Sequence, residues 1–282
     1  MEPKLRLIAA TWSLVEYPSP KKEWSFERKI RAIKEAGFHG FTGLPNDDNK
    51  RLAEKYGLQF LGHFSSAVPQ DFTKWLRANA ENGAKIINVQ LGRHDTTTPE
   101  ALKMALRLRK ESQAVGCECF IETHRNTCTE TPEKTYALAE AYQKATGELL
   151  PLTLDYSHLA VVKHLLPPDF IERLLVHPKL IQRTLLMHLR PFNGHHCQIP
   201  ITDGKGNLTP EVKNWIPFCE ALFRVWRAGK QDNRELFVVP ELGPALSGYN
   251  LYSLPNSWEE ALVLKDIIEK CWKASAKPLL KS

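Results

Sequence analysis

The sequence lacks any run of apolar residues approaching the roughly 18 that a membrane-spanning helix needs. The opening MEPKLRLIAATWSLVEYP has an apolar stretch too short and too interrupted for a secretion signal, so a cytoplasmic protein is expected. No two cysteines form a CxxC pair, which removes the usual frame of a structural zinc knuckle. The six cysteines, at 117, 119, 128, 197, 219 and 271, are scattered through a 282-residue chain that can bury a core without staples, and reduced thiols are expected. Neither G-x-G-x-x-G nor a P-loop follows the first apolar run. The net charge of +6 is spread along helical stretches such as RLAEK and ALRLRKESQ, where it reads as solvated helix faces and argues against a nucleic-acid partner.

What the chain does contain is a regular alternation. Short β-branched or apolar runs begin LRLIAATWS (5–13), GFTGL (40–44), QFLGHFS (59–65), KIINVQLG (85–92), CECFIETH (117–124), LPLTLDYSH (150–158), RTLLMHLRPF (183–192) and ELFVVPELG (235–243). Each is followed by apolar residues at helical spacing, as in SFERKIRAIKEAGF behind a Ser25 cap, or DDNKRLAEKYG closed by Gly57. The strand starts lie roughly 33 residues apart, the length of one βαβ unit. Strict alternation implies a parallel sheet, and eight units close a (β/α)8 TIM barrel, read here as one domain over residues 1–282 with a longer excursion at 191–208. A doubly wound open sheet is the alternative, and the missing nucleotide loop counts against it.

Barrel sites are assembled at the C-terminal ends of strands. There the late runs carry Glu122, Asp155, His188 and Glu241, each after a stretch whose interior is expected to be buried. Three carboxylates crowded into one mouth repel one another and lose hydration, so they need a compensating positive charge. A divalent cation supplies it, and three oxygens with one imidazole nitrogen suit Mn²⁺, with Mg²⁺, Co²⁺ and Zn²⁺ as competitors. Neutralisation by Arg125 and Arg190 is the competing reading.

These stretches resemble the xylose-isomerase-like barrel superfamily, which includes the D-tagatose and D-psicose 3-epimerases. The resemblance rests on Glu in IETHRNT, Asp and His in LDYSH, His in LLMHLR, and Glu in VVPELGP. It implies that Glu122, Asp155, His188 and Glu241 are metal ligands, that Glu122 and Glu241 are also the acid/base pair, and that His158 and Arg190 hold the substrate. Arg190 departs from the pattern, because the epimerases carry their arginine further past the metal-binding histidine. An enediolate intermediate on a small sugar follows from the resemblance, as does a tendency to form homo-oligomers.

Further candidates come from strand ends and loops. His63, Gln90 and His124 are expected to face the mouth, and Gln198 with His195 and His196 to cover the substrate from the excursion. Trp12 and Tyr249 are expected as an apolar wall, or else as core, and GPALSGYN as an anion site or merely a turn. Three functions remain open: sugar isomerase or epimerase, lyase or dehydratase, and an endonuclease IV-like phosphodiesterase. The last needs further histidine ligands, and Gln90 ends strand four where one is required.

Overall fold

The computed structural model describes residues 2–229 and 234–277. Its strands are β1 (Lys4–Ala10), β2 (Gly40–Gly43), β3 (Gln59–Ser66), β4 (Ile86–Leu91), β5 (Glu118–Glu122), β6 (Leu152–Leu154), β7 (Leu186–Leu189) and β8 (Glu235–Pro240). They pair in sequence order, all parallel, and β8 returns to β1 with Lys4 opposite Glu235, closing the barrel. The helices are α1 (Phe26–Glu35), α2 (Asn49–Tyr56), α3 (Phe72–Glu81), α4 (Thr98–Val115), α5 (Pro132–Thr146), α6 (Tyr156–Val162), α7 (Phe170–Leu174), α8 (Pro178–Arg183), α9 (Pro210–Arg227) and α10 (Ser257–Ser275). None of these is long and apolar enough to cross a membrane.

Local chemistry sets the boundaries. Ser25 caps α1 by accepting from the Arg28 amide, and Thr97 with Glu100 forms a capping box ahead of α4. Gly57 ends α2 at φ 59°, a left-handed conformation that favours glycine. Several strands stop short of the expected limits. The first ends at Ala10, with Thr11–Leu14 in a 3-10 turn, so Trp12 stands on a turn rather than a strand. The sixth ends at Leu154, because the Asp155 side chain accepts from the Ser157 amide and caps α6. His158 is therefore helical. The unforeseen α8 begins at Pro178 and takes up the chain before β7.

Two packing layers follow from the period of two along each strand. Outward residues meet the helices in the large core that includes Phe41, Phe64, Trp215 and Trp226. Inward residues Ile8, Ala10, Leu61, Phe120, Leu186, Phe237 and Val239 fill the barrel. Two residues further along the same inward rows, the chain changes character. Leu61 leads to His63, Phe120 to Glu122, Leu186 to His188 and Val239 to Glu241. The apolar plug is the floor, and the polar residues stand on it. All six cysteines are free thiols, five of them buried and Cys197 half-buried.

Candidate active site at the barrel mouth

Glu122, Asp155, His188 and Glu241 converge as expected, each offering one ligand atom within 4.8 Å of the others. Glu122 is fully buried. Its Oε2 accepts from Asn88 Nδ2 at 2.7 Å and Gln90 Nε2 at 3.0 Å, while its Oε1 lies 2.9 Å from His188 Nδ1. Glu241 Oε1 lies 3.3 Å from the same imidazole nitrogen. Asp155 receives the Ser157 amide at 2.9 Å and the Ser157 hydroxyl at 2.5 Å on Oδ1.

Arg190 binds this cluster from the other side. Its Nη2 reaches Asp155 Oδ2 at 2.6 Å and His158 Nε2 at 3.0 Å, and its Nη1 reaches Glu241 Oε2 at 3.1 Å and the Tyr249 hydroxyl. Its Nε donates to Ser157 Oγ at 3.0 Å. A guanidinium has five N–H groups, and five partners surround this one. Arg190 is 2% exposed, so its placement in the mouth agrees with expectation while its donors are already engaged within the protein.

The electrostatics follow from burial and these contacts. Burial alone would lower the His188 pKa, but the charges of Glu241 and Glu122 and hydrogen bonds to both hold it well above the ordinary imidazole range. Burial would raise Glu241, yet His188 and Arg190 bring it down to about 2. Glu122 is likewise held well below the carboxylate range by His188 against its own burial. His158 goes the other way: burial, then the Arg190 charge, push it well below the usual value. It is therefore neutral, and its Nε2 accepts the Arg190 hydrogen bond, which leaves the proton on Nδ1.

Three carboxylates against one guanidinium leave a deficit of positive charge that a proton on His188 only partly meets. The three-oxygen, one-nitrogen donor set fits a hard or borderline divalent ion. The residues present therefore fit such a metal, with Arg190 sharing Asp155 and Glu241 with it.

The cluster opens on a cavity of about 650 Å³. His63, Gln90, His124, His158, His188, Arg190, Glu241 and Tyr249 line it. Asn88 Nδ2 approaches His63 Nδ1 at 3.2 Å as the donor, so the His63 proton sits on Nε2. His124 packs edge-on to His158, with ring centroids 4.3 Å apart, and its Nδ1 contacts the Arg125 carbonyl. Gln198 lies elsewhere. It is buried and clasps Gly243, donating to the carbonyl at 2.9 Å and accepting the amide at 2.8 Å. The His195 and His196 amides bind Asn193, on a loop outside the cavity lining. Trp12 and Tyr249 both line the cavity, with ring centroids 5.6 Å apart. A Cβ at Gly243 or Gly248 would overlap the Trp12 ring, so the glycines of GPALSGYN have a packing reason to be glycine. Asn88 escaped the sequence reading; it stands two residues before Gln90 on the same inward row, and that spacing was the available signal.

No protein-family model matches the chain, and no curated protein matches it in sequence. Solved structures match it in shape over nearly their whole length. L-ribulose 3-epimerase superposes with a TM-score of 0.62 at 14% identity, covering 100% of both chains. A D-tagatose 3-epimerase-like protein gives 0.59 at 16% identity, covering 96% of this chain and 98% of its own. The fold is that of the xylose isomerase-like barrels. A xylose isomerase-like TIM barrel protein from Mycobacterium smegmatis in complex with magnesium gives 0.58 at 12% identity, covering 95% of this chain and 97% of its own. Within this barrel, the four converging side chains come from the ends of β5 to β8 and the loops directly after them.

Proposed function

We propose that the protein is a divalent-metal-dependent isomerase or epimerase of a small carbonyl sugar that works through an enediolate, with Mn²⁺ the best match to its donors. The observation that carries this reading is the placement of Glu122, Asp155, His188 and Glu241 around one point at the edge of the 650 Å³ cavity. The epimerase neighbours in shape support it. Bound there by those four residues, a divalent ion would stabilise negative charge on sugar oxygens and so acidify the C–H between them.

The chain's own groups divide the remaining work. Glu241 lines the cavity and is ionised, so it is placed to accept a carbon-bound proton. Glu122 has no exposed surface, and Asn88, Gln90 and His188 hold it. This geometry favours Glu241 for proton transfer and Glu122 for holding the metal, with Glu122 acting as the second acid/base only if its amide partners release it. His63, with its proton on Nε2, and Gln90 offer donors to sugar oxygens. The floor of Phe120, Leu186 and Phe237 keeps water from the barrel interior.

The test is metal analysis of the purified protein, followed by proton NMR in D2O with Mg²⁺ and a panel of ketoses, keto-sugars and sugar phosphates. Solvent deuterium entering a sugar carbon without loss of water is expected. An olefinic product would replace isomerisation with elimination. A protein that holds no divalent metal and exchanges no proton on the panel would sink the proposal.

A further inference from the structure

The cavity is larger than the sugar that the proposed function places in it. A six-carbon sugar has about a dozen non-hydrogen atoms, and at no more than ~30 Å³ each, the share of a water molecule in the liquid, it fills at most about 360 Å³. The cavity measures about 650 Å³. Toward the ends of β1 and β2 the lining is formed by Trp12, Val15, Phe26, Phe41 and Leu44, with Thr11, Thr42 and Asn46 among them.

At this end of the lining one buried side-chain acceptor has no partner among the described residues. Asn49, 1% exposed, lines the cavity and donates from Nδ2 to the Leu44 carbonyl at 3.0 Å, which fixes the orientation of its amide. Its Oδ1 is buried and makes no hydrogen bond among the described residues. A buried acceptor left unpaired costs about 1–3 kcal/mol, and a ligand hydroxyl would relieve that cost.

Resting on the sugar-site reading, we propose that the β1–β2 end is a second subsite, which holds an aromatic, hydroxyl-bearing aglycone joined to the sugar. The aromatic rings in this lining favour a flat aromatic guest over a further hydroxylated ring. The acceptor of Asn49 gives that guest one polar anchor, reached by a small shift of the side chains in front of it. An aglycone locks the anomeric carbon as an acetal. The exchangeable C–H must then lie beside a ketone on the sugar ring, so the substrate class is an oxidised aryl glycoside rather than a free ketose.

Calorimetric titration of the Mn²⁺-loaded protein with methyl, phenyl and 4-hydroxyphenyl β-D-glucosides tests this without requiring turnover. The phenyl glucoside is expected to bind at least tenfold tighter than the methyl glucoside, and the 4-hydroxyphenyl compound severalfold tighter again. Val15→Trp, which fills the subsite from its half-buried rim, should bring the phenyl-to-methyl ratio near one. Asn49→Ala should remove only the additional gain from the hydroxyl, with a circular-dichroism melt confirming that each variant folds. Equal binding of methyl and phenyl glucosides, or a ratio untouched by Val15→Trp, overturns the subsite and leaves the sugar site standing. Failure of all three glucosides to bind likewise overturns the subsite, whereas the sugar-site reading falls only if the carbonyl-sugar panel shows no deuterium exchange.

Discussion

Replacing Arg190 with methionine removes the one guanidinium that neutralises the carboxylate cluster while keeping an apolar side chain of similar length. Asp155 and Glu241 then lose partners at 2.6 and 3.1 Å, in surroundings where Arg190 and Asp155 are almost wholly buried. Breaking a buried ion pair from one side costs about 3–5 kcal/mol, because the remaining charge is stranded. At about 2–4 °C per kcal/mol for a chain approaching this size, the metal-free variant should melt on the order of 10 °C below the parent. A divalent ion can take over the neutralisation. Mn²⁺ should therefore recover most of that loss, and if it recovers about 3 kcal/mol the variant's Kd for Mn²⁺ falls roughly 100-fold below the parent's. Thermal melts with and without Mn²⁺, together with calorimetric titration, measure both sides of this cycle. Weaker Mn²⁺ binding in R190M would refute the argument, since it would mean that Arg190 orders the ligands rather than competing for them.

Other consequences can be measured on the same protein. Glu241→Gln should lower deuterium exchange at least ~100-fold, the lower end of general-base effects, with Mn²⁺ still bound, whereas Glu122→Gln should weaken Mn²⁺ binding first. His188 has a folded pKa raised above 6.5, so its proton stabilises fully below about pH 6.5, and that stabilisation is lost as pH rises through the raised value. The metal-free melting temperature should accordingly fall from pH 6.5 upward, and Mn²⁺ binding at pH 7 should release a proton, seen as a buffer-dependent binding enthalpy. Gly243→Ala pushes a methyl group into the Trp12 ring and should cost about 1–3 kcal/mol with a change in indole fluorescence; a parent-like melt and emission would contradict the packing described.

The barrel was legible because each strand carries its own period-two record, from Leu61 to His63 and from Val239 to Glu241. Strand ends were less so. Asp155 looks like a strand residue in LPLTLDYSH, yet its carboxylate does two things at once, capping α6 through Ser157 and meeting Arg190. A run of apolar residues cannot announce where such a side chain stops the ladder. The saturation of Arg190 was invisible for a similar reason, since its partners come from residues 155, 157, 158, 241 and 249 and are joined only by the closed fold. Gln198 was placed by its loop, and the loop instead turns its amide onto the Gly243 backbone.

Barrel closure also constrains how the protein can be made. The pairing of Lys4 with Glu235 joins the first strand to the last across nearly the whole chain, and Glu241 follows directly after it. During synthesis, seven strands must therefore wait with the open edges of β1 and β7 unpaired. A nascent chain that stops before β8 has neither its final carboxylate nor a protected sheet. Such a fragment should depend on chaperones to stay out of aggregates, and its histidine and remaining acids should hold Mn²⁺ poorly until the last strand arrives.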